Sequence, residues 1–556
     1  MPYRAPLTDL RFCIDHVVDF AQVAATARFA EATPETVDAI LSEAGRMCEE
    51  VLAPLNRVGD LNPARLENGV VRTSPGFKEG FASIAEGGWL GMSAEAEHGG
   101  MGLPITLTMA VNEMIGSACL ALQLNPLMGQ GQIEALEAHA SDAIKALYLP
   151  KLISGAWCGT MNLTEPQAGS DVGALRTKAE PNGDGTYAVS GQKIYISWGD
   201  HDMAENICHL VLARLPDAPM GTKGISLFMV PKFLPTETGA PGVANSLKVV
   251  SLEHKLGLHA SPTAVMQYDG ATGWLVGEAH GGMAAMFTMM NNARLGVGVQ
   301  GLSISEAATQ HAIAYAMDRK QGKTPLGHGS ILDHADVRRM VLDMKADTFT
   351  ARALCLDCAV SLDMAKATGA EGWASRGAFL TPIAKAYGTD TGVKVASEGI
   401  QIHGGMGFVE ETGAAQYLRD VRVTTIYEGT NGIQAMDLVG RKLTDGGAAA
   451  NGLLDEITAF DHGGLRAAAE ELRQLTEWMV AQDMQDRFAG SVAYLAAFAR
   501  VLGAWYHLKA GAADAARGPL AQVAVARMLP EALAEMAKAR NGAAALYAVE
   551  TDFIAA

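Results

Sequence analysis

The feature that most constrains this chain is a change of texture along its length. From Thr36 to about Trp157 apolar residues recur at helical spacing, as at Val37, Ile40, Leu41, Ala44 and Met47, with Pro34 and Glu35 near a start signal. Between Gly159 and about Gly277 short β-rich runs take over, among them Tyr187 to Ile196, Ile207 to Leu215 and Ile225 to Val230, punctuated by Gly, Pro, Asn and Asp. Helical periods return from Gly282 to Leu443, for example at Val337, Met340, Val341, Met344 and Thr348. Two helical regions around a β middle predict a layered, multidomain α+β protein rather than a doubly wound sheet, in which strands and helices would alternate. At 556 residues the chain is too long for one core. The expected divisions are an N-terminal extension (1–35), a helical domain (36–158), a β domain (159–277), a helical bundle (278–443) and a further helical domain (444–556) reached through a Gly/Ala linker, Asp445 to Gly452.

Charge narrows the function. A formal charge of −18 argues against nucleic acid or an anionic membrane surface as partner, although a local site can still take an anionic ligand. Asp9, Arg11, Asp15 and Asp19 interrupt the N-terminal region, which therefore lacks the apolar core of a secretory signal, and no uninterrupted apolar stretch approaches bilayer length. Seven cysteines, an odd number spread over a long chain, point to reduced thiols and a cytoplasmic setting. Cys355 and Cys358 spell CxxC inside an Ala/Leu-rich helical run with no second pair to complete a zinc site, so they read as small buried hydrophobes and no metal is expected. Gly296 to Gly301 spells G-x-G-x-x-G, but no strand precedes it and the surrounding texture is helical. Close helix packing is the better reading.

Chemistry is concentrated near the end of the bundle. In Ile426-Tyr427-Glu428-Gly429-Thr430-Asn431 a carboxylate stands beside a glycine in an apolar setting, just before a helix-like segment from Ile433 to Leu443. Desolvation there would raise the pKa of Glu428 toward the range useful for removing a weakly acidic proton, and Gly429 would let a substrate approach. On these six residues alone, a carboxylate capping a turn is the favoured reading.

Three further blocks, MNLTEPQAGSDV (Met161 to Val172), GQKIYISWG (Gly191 to Gly199) and QIHGGMGF (Gln401 to Phe408), precede the Glu428 block in an order that resembles the acyl-CoA dehydrogenase family. The resemblance covers about Thr36 to Leu443. The segment Tyr3 to Phe20 and the helical tail after Leu443 are similar to an enlarged branch of that family, which includes the methylmercaptopropionyl-CoA dehydrogenases. It implies a helical N-terminal domain, a β middle domain, a C-terminal bundle and an extra helical domain. It also implies FAD as hydride acceptor, an acyl-CoA substrate, an electron-transferring flavoprotein as acceptor, and a homodimer. The implied acyl group is a short or medium straight chain or the methylmercaptopropionyl thioester.

The resemblance assigns roles residue by residue. Glu428 is the implied base, and its competitor is missing, because relatives that carry a glutamate before the arginine matching Arg294 have it where Ala293 stands here. Met161, Leu163, Thr164, Gly169 and Ser170 correspond to an FAD-binding run, with Ser170 also near substrate; Ser170 and Asp171 could equally cap a helix. Tyr195, Ile196 and Ser197 stand where the family usually has Trp-Ile-Thr. Arg319 and Lys320, with Gln401, Gly404 and Gly405, match a clamp on the cofactor of a neighbouring subunit, and Thr430, Asn431 and Gly432 complete the cofactor contacts. Ala335 replaces a common glutamine near that clamp. Asn291, Asn292 and Arg294 match the substrate-contacting helix, and Gly429 adjoins the substrate. Two alternatives remain on this reading, an oxidase using oxygen and a DNA-associated flavoprotein of the same fold. The acidic tail, with Asp455, Glu456, Asp461, Glu470, Glu471, Asp483 and Asp486, argues against the second.

Overall fold

The computed structural model describes residues 3–327 and 329–556, which form two compact units. One comprises Glu43–Leu103 and Met114–Ala293, the other Met1–Ser42, Pro104–Glu113 and Arg294–Ala556.

The first unit is organised by a seven-stranded sheet in the order Leu247–Leu252, Thr263–Val276, Tyr187–Ser197, Lys178–Pro181, Asn206–Arg214, Trp157–Asn162. Strand Ile225–Pro231 pairs with both Thr263–Val276 and Asn206–Arg214, so the path closes on itself. Closure shortens the exposed edge, leaving only Leu247–Leu252 and Trp157–Asn162 with a single strand neighbour among the described residues. Val189, Ile196, Val211, Phe228, Val230 and Met266 fill the interior. A buried polar thread fixes the strand that leads into the functional loop. Tyr268 Oη donates to Asn162 Oδ1 at 2.9 Å, Asn162 Nδ2 donates to Thr160 Oγ1 at 2.8 Å, and that hydroxyl lies 2.7 Å from His209 Nδ1. Burial pushes the His209 pKa down to about 3, so the thread is neutral. The expected strands are all present within a residue or two. A hairpin that the texture did not reveal, Arg65–Glu67 with Val70–Arg72, turns through Asn68 and Gly69, both left-handed with φ of 52° and 79°.

Long helices dominate the second unit. Ala335–Thr368 packs along Glu371–His403, and Met484–Ala513 packs against Gly518–Ala539 and against the first of these. The G-x-G-x-x-G run lies within helix Gly282–Asp318, where a Cβ at Gly301 would fall 2.2 Å from Gly388 O. Its glycines therefore permit helix contact, as expected. Arg352 is buried between two carboxylates, its Nη2 lying 2.6 Å from both Glu113 Oε1 and Glu306 Oε2. The two chain ends dock together: Arg517 pairs with Asp9 at 2.6 Å and lies 3.8 Å over the Phe12 ring, and Lys509 donates to Val17 O. Arg527 pairs with Asp347 at 2.5 Å and Arg376 with Asp357 at 3.0 Å, the latter carboxylate also taking the Tyr506 hydroxyl at 2.6 Å.

Two expectations need correction. The stretch expected as a linker, Asp445 to Gly452, is largely helical, because helix Ala448–Ala459 begins inside it. Asp445 accepts from Gly447 N at 2.8 Å and from Ala449 N at 3.0 Å, capturing first-turn amides that a linker would leave to water. Two helices, Ile105–His139 and Met484–Ala513, are also long and apolar enough to cross a membrane, contrary to the reading of the apolar runs. Most of each apolar window is buried inside the protein, which accounts for their composition. Cys355 and Cys358 are buried free thiols, and burial raises both pKa values, Cys358 to about 12. Among the described residues no group of three or more His, Cys, Asp or Glu is arranged to hold a metal.

Candidate active site

Glu428 stands in a bend between the short helical turn Arg422–Thr425 and helix Asn431–Gly440, which starts two residues earlier than expected. Thr430 caps that helix, its Oγ1 accepting from Ile433 N at 3.2 Å. Glu428 has φ of 54° and Gly429 of 80°, so two successive residues are left-handed. For Glu428 that conformation is strained and persists only because the surroundings hold it. Lys385 Nζ donates to Gly429 O at 2.9 Å and to Asn431 Oδ1 at 2.8 Å, and Gln434 Nε2 donates to Glu428 O at 3.1 Å. Asn431 Nδ2 in turn donates to Asp390 Oδ1 at 2.7 Å. Tyr427 donates its hydroxyl to Gln300.

The electrostatics suit a base. Burial pushes the Glu428 pKa up to about 7, while Arg294 and then Lys385 oppose the shift with positive charge. Arg294 is itself tied to Asp437 at 3.5 Å. Lys385 is 0 % exposed, and burial holds its pKa down to about 8 against the opposing pull of Asp390 and Glu428. A half-buried carboxyl that ionises near neutrality, on a turn held from several sides, can take a proton in one state and retain it in the other.

A second cluster lies in the β unit. After strand Trp157–Asn162 the chain runs through Leu163 to Ser170 as a loop, held from beneath by Lys193. Lys193 Nζ donates to Leu163 O at 2.9 Å and to Glu165 Oε1 at 2.8 Å, and Glu165 also accepts from Arg176 N, Thr177 N and Thr177 Oγ1 at 2.6 to 3.0 Å. These contacts, led by Lys193, outweigh desolvation and bring the Glu165 pKa down to about 2. Ile194 N donates to Thr164 O at 2.9 Å, joining the loop to the end of strand Tyr187–Ser197. There Tyr195 and Trp198 are left-handed, with φ of 60° and 54°; Trp198 is buried, whereas Tyr195 is 62 % exposed.

The remaining expected residues fall into groups. Thr164, Ser170 and Ser197 make no side-chain hydrogen bond among the described residues, and a Cβ at Gly169 would meet nothing within 4 Å. Ser170 is exposed and Met161 half-buried, while Ile196 is buried. Neither Ser170 nor Asp171 caps a helix through its side chain. Arg319, Lys320 and Gln401 are exposed, and Gly404 and Gly405 have open space where a Cβ would stand. Asn291 is exposed, but Asn292 is buried and donates to Glu134 Oε2 at 2.8 Å. Asn431, expected among the cofactor contacts, has both side-chain amide atoms engaged inside the protein. Lys193, Glu165 and Lys385 were not singled out by the sequence. A lone lysine within the apolar run Phe379 to Ala386 is the signal that could have found the last.

For FAD the residues fit: unpartnered hydroxyls and an exposed aromatic cluster about the pinned loop of the β unit, and open glycines with an exposed arginine occur in the helical unit. Hydroxyl and backbone donors with glycine access are the means by which a ring edge and a diphosphate are bound.

Models of the acyl-CoA dehydrogenase N-terminal, middle and C-terminal domains match residues 34–156, 160–271 and 280–443. The chain is 48% identical over 531 residues to 3-methylmercaptopropionyl-CoA dehydrogenase of Ruegeria pomeroyi, covering 91% of this chain and 90% of that protein. It is 33% identical to the broad-specificity linear acyl-CoA dehydrogenase FadE5 of Mycobacterium tuberculosis, covering 89% and 84%. The butyryl-CoA dehydrogenase structure from Megasphaera elsdenii superposes with a TM-score of 0.62 at 26% identity, covering 74% of this chain and 99% of that one. ACDH-11 of Caenorhabditis elegans shares the fold over 99% of this chain and 93% of its own, with a TM-score of 0.76 at 20% identity. The chain belongs to the acyl-CoA dehydrogenase family and is an oxidoreductase.

Proposed function

We propose that this enzyme desaturates an acyl-CoA thioester between its α and β carbons, with Glu428 as the base and FAD as cofactor. The observation that carries the reading is Glu428 itself, a carboxyl raised to about 7 by burial on a left-handed turn held by Lys385 and Gln434. Bound FAD supplies the hydride acceptor that no side chain can provide. Thr164, Ser170 and Ser197 offer it hydrogen bonds, Tyr195 a ring face, and Gly404 and Gly405 access for backbone amides. At the substrate, Glu428 takes the α proton, and its own backbone N–H can donate to the thioester oxygen as negative charge develops there. Arg319, Gln401, Gly404 and Gly405 act on the cofactor of a second copy, which makes the working species a homodimer. The electron acceptor is an electron-transferring flavoprotein, and the setting is cytoplasmic.

The likeness to the Ruegeria enzyme favours the methylmercaptopropionyl thioester, with short and medium straight chains next. A spectrophotometric panel of acyl-CoA esters with a ferrocenium acceptor tests this. The highest kcat/KM is expected for 3-methylmercaptopropionyl-CoA. A maximum on long-chain or branched esters contradicts the substrate assignment, and no reduction by any ester contradicts the activity.

A further inference from the structure

Lys385 has no part in the chemistry described so far, yet it holds the base turn alongside Gln434 and Gln300 and is the charged member of that set. It lies in an otherwise apolar stretch of helix Glu371–His403, flanked by buried Ile383, Ala384 and Ala386, and is wholly buried. A lone buried ammonium is costly unless its protons are used. Two of them meet Gly429 O at 2.9 Å and Asn431 Oδ1 at 2.8 Å, the residues immediately after the base and at the head of the next helix. Both acceptors are neutral, so no direct ion pair cancels the charge.

The other charged groups around the turn are few. Arg294 faces Glu428 from helix Gly282–Asp318, and Asp437 pairs with that arginine from helix Asn431–Gly440, with Arg441 just beyond. Asp390, one turn along from Lys385, meets the loop through Asn431 Nδ2 and also attracts Lys385 across space, and Arg422 and Arg500 act on Asp390 rather than on the base. Tyr427 is held by Gln300 and burial keeps it protonated. Arg294 has a carboxylate partner and Lys385 has none in contact.

We propose that Lys385 is a positioning residue for the base: it fixes the left-handed turn that carries Glu428 by binding Gly429 and Asn431, and it supplies a positive charge, with no carboxylate in contact, against which Glu428 ionises. The inference rests on the reading of Glu428 as base. Losing the ammonium should make Glu428 harder to ionise, so the acid limb of the rate profile moves to higher pH. Losing the anchor as well should misplace the carboxylate, lowering kcat with little change in KM.

The test uses the FAD-loaded full chain and two variants. Lys385→Met removes charge and donor, whereas Lys385→Gln keeps an uncharged donor on a shorter stem and carries the test if the first variant does not fold. Glu428 is titrated by infrared difference spectroscopy, its carboxyl band identified by its absence in Glu428→Gln, and substrate-driven flavin reduction is followed against pH. In both Lys385 variants the carboxyl midpoint and the acid limb should rise together by about one pH unit. In Lys385→Met kcat should fall about 10- to 100-fold, as expected for a reacting group displaced by about an ångström. An unmoved carboxyl midpoint, whatever the loss of rate, overturns the proposal and leaves Lys385 a structural residue. Failure of the underlying reading looks different: the midpoint shifts, but Glu428→Gln still reduces the flavin at the wild-type rate.

Discussion

Lys193 and Lys385 are both fully buried and both donate to the carbonyl of a functional loop, Leu163 O at 2.9 Å in the β unit and Gly429 O at 2.9 Å in the helical one, but their second partners differ. Lys193 meets the carboxylate of Glu165, and Lys385 meets the amide oxygen of Asn431. In the first case charge is cancelled locally and the Glu165 pKa falls to about 2, which suits a fixed scaffold. In the second no carboxylate is in contact, and the charge acts across space on Asp390 and on the base. A buried lysine thus serves as a clamp when paired with a carboxylate and as a clamp with an electrostatic reach when paired with an amide.

The largest effect is expected at Lys193. Lys193→Met leaves Glu165 buried without its cation, a loss of about 3–5 kcal/mol for a broken buried pair. The expected result is a lowered melting temperature, faster hydrogen exchange over 163–177 and loss of bound flavin. Near-normal flavin content would show that the loop does not need its clamp.

Asn431→Leu probes the neutral partner. It deprives Lys385 of one acceptor and should cost about 1–3 kcal/mol, the range for a buried donor left unsatisfied. Thermal denaturation should show the smaller loss, and a loss equal to that of Lys193→Met would remove the distinction between the two clamps.

The two carboxyls should respond to pH with opposite sign. Glu165 has its folded pKa depressed from 4.5 to about 2, so its stabilisation is present above pH 4.5 and lost as pH falls toward 2. Glu428 has its folded pKa raised from 4.5 to about 7, so stability falls as pH rises from 4.5 through 7. Glu428→Gln should therefore raise the melting temperature at pH 8 relative to wild type, by the equivalent of about 1–2 kcal/mol after allowing for partial exposure, and have little effect at pH 5. Equal effects at the two pH values would mean that Glu428 ionises normally.

Asp390→Asn is the mildest change. It replaces an acceptor of Asn431 by another polar group at an exposed position and should alter stability by less than about 1 kcal/mol.

Much of this arrangement was legible in the chain. The β strands showed in their alternation and Glu428 in its apolar setting, because side-chain periodicity and local desolvation are written in neighbouring residues. The Arg65–Arg72 hairpin was missed although Asn68-Gly69 is a turn signal in its own right. Asp445 to Gly452 misled because a Gly/Ala composition reads as linker, while one aspartate capturing two amides starts a helix. The lysines were hidden for a different reason. Lysine is ordinarily a surface residue, and only the fold brings Gly429 within reach of a side chain 44 positions earlier in the chain. Lys193 left one trace, since it shares the inward parity of buried Val189 along its strand.

Catalysis requires that Glu428 take the α proton. The direct measurement is anaerobic single-turnover flavin reduction by the best acyl-CoA ester in Glu428→Gln, which keeps the side chain's shape but cannot accept a proton. The rate should drop by roughly 10² to 10⁴ while flavin content and ester binding are retained. Bleaching at or near the wild-type rate would contradict the assignment of Glu428 as base.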